Sequence, residues 1–289
     1  MYCNQNIDNL SNLTRLQNLD ISAPIDDISA LKHLNLTSLT LRSSDLYNIS
    51  PILKLTSLIK LNISCATKDF SSLNKLSKIK SLEILFSSIK NISFLANMPS
   101  LTKLEMANNI VSDLIPLERL NLTDLNIYNS HNITSIVPLI GQINLTSLNI
   151  CSCPLVKDMN PLSHLIALRH IELNLNPYCT TIDVLSHLKN LRSVSIYGNP
   201  HLRDITPLKT LTNLNKLVLS NTTNVVNFSP LKKLTKLCAL QLQNLPYLTN
   251  LNFLSCLTKL QTLKLFGCNN IKSLDPIKSL NDLISFEKP

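Results

Sequence analysis

Apolar residues return along this chain in one recurring phrase. The stretch Leu101-Thr-Lys-Leu104-Glu-Met106-Ala-Asn-Asn109 alternates apolar and polar positions, then breaks at Asn. It continues through Val111, Leu114, Pro116-Leu117 and Leu120. The same order returns at Leu191, Val194, Ile196, Asn199, Leu202, Ile205, Pro207-Leu208 and Leu211. The second apolar position marks each repeat: Leu19, Leu39, Leu61, Leu82, Leu104, Leu125, Leu148, Ile171, Val194, Leu217, Leu240 and Leu263. The steps are 20, 22, 21, 22, 21 and 23 residues, then 23 throughout. Twelve repeats, with partial ones at Ile7–Leu10 and Leu280–Phe286, fill the chain and predict one domain over 1–289.

Each half of the repeat predicts an element. Leu217-Val-Leu219 alternates with period two, so it reads as a short strand with its leucines inward. The turn after it needs a small side chain able to satisfy buried backbone groups. That column reads Ser44, Ala66, Ser87, Asn109, Ser130, Cys153, Asn176, Asn199, Thr222, Leu245 and Cys268. Ala66 and Leu245 depart from it, which predicts two less regular turns. The return segment carries Ser229-Pro230-Leu231 or Asp275-Pro276-Ile277, where proline suits the start of a helical turn and the preceding polar residue would cap it. Ile115-Pro116 and Val137-Pro138 lack that cap. About five residues leave room only for short helical or 3₁₀ turns.

Over its whole length this grammar resembles the leucine-rich-repeat family. The short repeat with Pro-Leu-x-x-Leu in its second half is similar to bacterial internalins and to the leucine-rich regulatory subunit of protein phosphatase 1. The resemblance implies an α/β solenoid: a horseshoe with a concave parallel sheet of about twelve short strands and short helical or 3₁₀ turns on the convex side. It also implies binding without catalysis. The matching positions are packing positions, so no partner-contact residue carries over.

Composition narrows the function. Only 3 glycines occur, too few for a glycine-rich nucleotide loop. No run is long and apolar enough to span a membrane, and no signal peptide is evident, which predicts an intracellular, cytoplasmic protein. The 8 cysteines are scattered, as reduced thiols would be. Neither end carries a polar cap, which leaves self-association through bare ends, truncation, or capping by a partner as alternatives.

Strand positions beside the buried leucines face outward. The third outward column carries Leu85, Tyr128, Tyr197 and Phe266, and exposed aromatics anchor protein contacts. Glu83, Glu105, Asp124 and Glu172 sit mid-array, with His170 beside Glu172 and Lys216 and Lys264 toward the end. Together these residues predict a protein-binding face. Five acids and five bases make that face neutral, so the net charge of +9 falls mostly on the return segments. No interleaving of aromatics with bases suggests nucleic acid.

Chemistry finds no converging set. Cys151 and His170 lie on adjacent strands but about 13 Å apart along them, too far for a thiol and its base. Cys151-Ser-Cys153 has no second half to complete a metal site. The expectation is a protein-binding scaffold or regulator with no cofactor, metal or small-molecule substrate. A phosphatase-type regulatory subunit and an internalin-type surface adhesin are the alternatives.

Overall fold

The computed structural model describes residues 6–174 and 180–288; Asn176, Cys3 and Cys179 lie outside them. It divides into two compact units, Met1–Thr134 and Ser135–Pro289.

The first unit holds β1 (Asn18–Ser22), β2 (Ser38–Ser43), β3 (Lys60–Cys65), β4 (Ser81–Ile84), β5 (Lys103–Glu105) and β6 (Asp124–Asn126). The second holds β7 (Ser147–Asn149), β8 (His170–Asn174), β9 (Ser193–Tyr197), β10 (Lys216–Ser220), β11 (Ala239–Gln243), β12 (Thr262–Phe266) and β13 (Ser285–Glu287). Within each unit every strand pairs in parallel with its sequence neighbour. Leu39 stands opposite Leu61 and Leu104 opposite Leu125 in the first unit. Leu148 stands opposite Ile171, and Leu217 opposite Val194 and Leu240, in the second. Within each unit these leucine columns and those of the return segments are buried, as stacked coils require. The partial repeat at the C-terminal end supplies β13.

Every helical segment among the described residues is 3₁₀, such as Ser50–Lys54 and Ser229–Lys233. The polar residue before proline does not cap it. Ser50, Asn160, Thr206, Ser229 and Asp275 are themselves the first residue of the turn, and the residue before each is apolar. The acceptor comes from one residue further back. Asn48 Oδ1 accepts the Ser50 N–H at 2.9 Å, Asp158 that of Asn160 at 2.8 Å, and Asp204 that of Thr206 at 2.7 Å. Ile115 and Val137 are served in the same way by Asp113 and Ser135, so those turns are not uncapped. These bonds hold the Asp27, Asp69 and Asp204 carboxyls below the usual range, chiefly through Ser29, Ser71 and Thr206.

The inward polar column needs a second correction, which affects two repeats. In the first unit Ser43 and Cys65 are buried, while Ser44 is exposed and Ala66 half-buried. β2 and β3 stay extended for six residues, so simple alternation carries Ser43 and Cys65 inward. Ser43 Oγ donates to the Ile25 carbonyl at 2.7 Å and accepts the Ile25 N–H at 3.0 Å. From Phe86 onward the coils differ. A left-handed residue follows the strand at Phe86, Asn108, Asn129, Ser152, Gly198, Asn221, Asn244 and Gly267. It turns the next residue inward, which makes Ser87 and Asn109 the ladder residues there. Asn109 Nδ2 donates to the Ile84 carbonyl at 2.7 Å. Leu245 does not loosen its turn: it is fully buried after a left-handed Asn244, like its neighbours.

Candidate protein-binding surface

The strands set the outward residues of the first unit in register. Glu83 stands opposite Glu105, and Lys103 opposite Asp124. The acids do not form a free acidic stripe. Lys60 Nζ lies 3.5 Å from Glu83, and Asn62 donates to the same carboxylate. Lys103 Nζ lies 3.3 Å from Asp124, whose other support is the Thr123 hydroxyl at 2.7 Å. Among the described residues Glu105 has no cation, and burial, with Glu83 beside it, raises its carboxyl above the ordinary value, opposed by a hydrogen bond to Asn126. Tyr128 is exposed, at 41%. Leu85 is half-buried and lies two coils away on the same column, roughly 10 Å off at the usual strand spacing. Ala107 sits between them and is buried. The structure therefore joins Glu83 to Glu105, and keeps Leu85 apart from Tyr128.

The second unit carries the remaining candidates. His170 and Glu172 share β8 and are exposed. Glu172 accepts from Asn149 Nδ2 at 3.1 Å. Tyr197, half-buried, stands opposite Asn174 and Ser220. Lys216 is exposed at the start of β10. Two strands on, Lys264 pairs with Glu287 and lies 5.9 Å from the centre of the Phe266 ring. Ser220 and Gln243 separate Tyr197 from Phe266 along the column, so these aromatics form no cluster.

Cys151 is buried, although its strand position pointed it outward. It is 7% exposed in the turn after β7, and burial pushes its thiol up to about 12, with Glu172 and Cys153 adding to the effect. A thiol this reluctant to ionise is a poor nucleophile near neutral pH. Burial likewise takes Cys65 up to about 11. Asn62, Ser195 and Val218, on the middle outward column, are also buried.

One residue that the strand pattern left out stands apart. Phe86 has φ 52° and is 68% exposed. A bulky side chain in the left-handed region is a strained choice, and here it gains little burial. Among the described residues the others of its column are Asn, Ser or Gly. Phe86 is the first of them, at the changeover between the two kinds of coil. That changeover opens a cleft of about 710 Å³ between Phe86 and the ends of β1 to β3, where Pro24, Arg42, Asp45 and Ser64 line it. The signal was present in the sequence as an aromatic in a column of turn formers, but it showed only once that column was known to be left-handed.

The fold defines a class: this is a leucine-rich-repeat solenoid. Solved structures agree. An internalin from Listeria monocytogenes matches with a TM-score of 0.77 at 26% identity, over 97% of this chain and 82% of the other. A leucine-rich-repeat protein of Leptospira interrogans matches with a TM-score of 0.72 at 18% identity, over 98% of this chain and 74% of that one. The functional domain of InlJ from Listeria monocytogenes, described as including a cysteine ladder, matches with a TM-score of 0.66 at 21% identity. This chain covers 93% of its own length and 64% of that domain. No family model and no curated protein matches the sequence. No helix among the described residues is long and apolar enough to cross a membrane.

Proposed function

We propose that the chain is a non-catalytic protein-binding module, and that the strand face of its first unit grips a protein partner through Phe86, Tyr128 and the carboxylates of Glu83, Glu105 and Asp124. The observation that carries this reading is Phe86: a strained aromatic, open to solvent at the lip of a cleft, where Asn or Gly would suit the backbone better. In the second unit the corresponding contacts are His170, Glu172, Tyr197, Lys216, Lys264 and Phe266. A scaffold or regulator inside the cell is the setting we favour, supported by six described cysteines that are free thiols.

The test places a photo-crosslinking amino acid at position 86, at 128, or at Lys75 on the turn side, in the native cell. Positions 86 and 128 should capture the same protein and position 75 should not. Capture from 75 alone, or from none, rejects the reading.

A second reading is recognition at a cell surface, favoured by the structural match to an internalin. Labelling of intact cells with an impermeant reagent separates the two: labelled protein supports the surface, protected protein the interior.

A further inference from the structure

A cleft in the second unit, on the edge where the strands begin, is lined by cations and amides alone. Its volume is about 290 Å³ and its walls are Arg169, Arg192, Lys236, Asn190, Asn213 and Asn215. Three cations and three amides line it, and no acid does. Only 6 of the chain's 27 cationic residues are arginine, yet two of them share one column on consecutive coils here. Surface lysines scattered by composition do not explain that placement.

The backbone fixes how these side chains emerge. Arg192 N donates to the Arg169 carbonyl at 2.8 Å, and Asn215 N to the Arg192 carbonyl at 2.7 Å. The two guanidiniums therefore leave adjacent coils, at roughly the 4.8 Å spacing of paired strands. Among the described residues neither has an ion pair. The amides build the floor: Asn190 Nδ2 donates to the Ile166 carbonyl at 2.9 Å and Asn213 Nδ2 to that of Lys189 at 3.1 Å. Asn213 Oδ1 then accepts from Lys236 Nζ at 2.7 Å, which holds the ammonium at the cleft instead of letting it sweep through solvent. Glu172, on β8, is three residues from Arg169, roughly 10 Å along the strand, and is engaged by Asn149.

We propose that this cleft binds a compact polyvalent oxyanion, a phosphate or sulfate ester. Paired guanidiniums match the geometry of tetrahedral oxyanions, donating two parallel N–H bonds each, and an ordered ammonium adds charge. Such a ligand offsets the mutual repulsion of two stacked arginines that lack counter-ions. The same headgroup chemistry reaches a protein from free solution or from a lipid surface.

The experiment titrates the full chain with inositol hexakisphosphate by calorimetry, and in parallel with phosphatidylinositol bisphosphate vesicles by flotation. All the cleft cations are exposed, so an Arg169→Gln, Arg192→Gln double variant should fold as the parent does, which circular dichroism checks. The double variant should weaken binding by about tenfold or more, the scale expected for losing charge-assisted hydrogen bonds. A control with Lys54→Gln and Lys75→Gln in the first unit should bind as the parent does. Binding of the soluble probe alone marks a diffusible ligand, and binding of both probes marks a headgroup site. No binding of either, or an equal loss in the control, overturns the proposal.

Discussion

The coils that end at Ser43 and Cys65 and those that pass through Asn221, Asn244 and Gly267 solve one problem in two ways. Both must turn the chain from the sheet toward the return segment while leaving no buried backbone group unpaired. The early coils stay extended and let alternation carry a small polar side chain inward. The later ones insert a left-handed residue, and the inserted residues bond to one another: Asn244 Nδ2 donates to Asn221 Oδ1 at 2.8 Å. In the first unit Asn129 does the same to Asn108, at 2.5 Å. The second solution is more demanding, because its column needs residues that tolerate positive φ. The difference teaches that a repeat can keep its leucines and still change its outer surface. Phe86 stands where one solution gives way to the other.

If the two coil types share one kind of interior, truncating a core leucine should cost the same in each. Leu41→Ala in the first unit and Leu148→Ala in the second should each lose about 2–5 kcal/mol in chemical denaturation. A negligible loss at either would mean its coil is not packed as described. The next effect separates the coils. A Cβ on Gly267 would clash with Asn244 Oδ1, whereas on Gly198 the nearest atom, Asn174 Oδ1, is 3.0 Å away. Both glycines have positive φ, so Gly198→Ala should cost about 1 kcal/mol, mostly from backbone strain, with Asn174 yielding slightly. Gly267→Ala must also dislodge Asn244 from Asn221, and about 2 kcal/mol is expected. Equal losses would deny the side-chain ladder any role.

Phe86→Asn should move stability the other way, gaining about 1 kcal/mol by placing a left-handed former at a left-handed position. The same variant should lose the partner captured from position 128. A loss of stability would show that Phe86 packs, and the strain argument would fall with it. The smallest effect concerns Glu105. Its carboxyl titrates above the ordinary 4.5 in the folded chain, so the folded state disfavours its charge. The contribution of the protonated group is complete below that value and lost as pH rises through the raised one. Glu105→Gln should therefore stabilise at neutral pH, by less than about 1 kcal/mol after solvent screening, and the gain should fade in acid. A gain independent of pH would point to packing instead of charge.

The candidate site was only partly legible. Tyr128 and Glu172 are exposed where alternation put them, because the period of two decides which face a strand residue takes. Cys151 stands on the column of Tyr128 but is buried, as Ala107 is there, because a short side chain on that column does not reach past its neighbours. Of the mid-array acids Glu83 and Asp124 are taken up in local ion pairs, since pairing depends on which long side chain leans across a coil.

What the amino acids determined unaided was the repeat: its length, its buried leucines, the parallel register and the alternation of strand with turn. Each follows from burying one aliphatic column at a fixed period, a constraint written locally in every coil. The tertiary structure alone decided where the chain turns left-handed, which ladder amide serves which carbonyl, and which cations end up without counter-ions. Those outcomes depend on the coil above and the coil below, and residues some 23 positions apart meet only after the stack has formed.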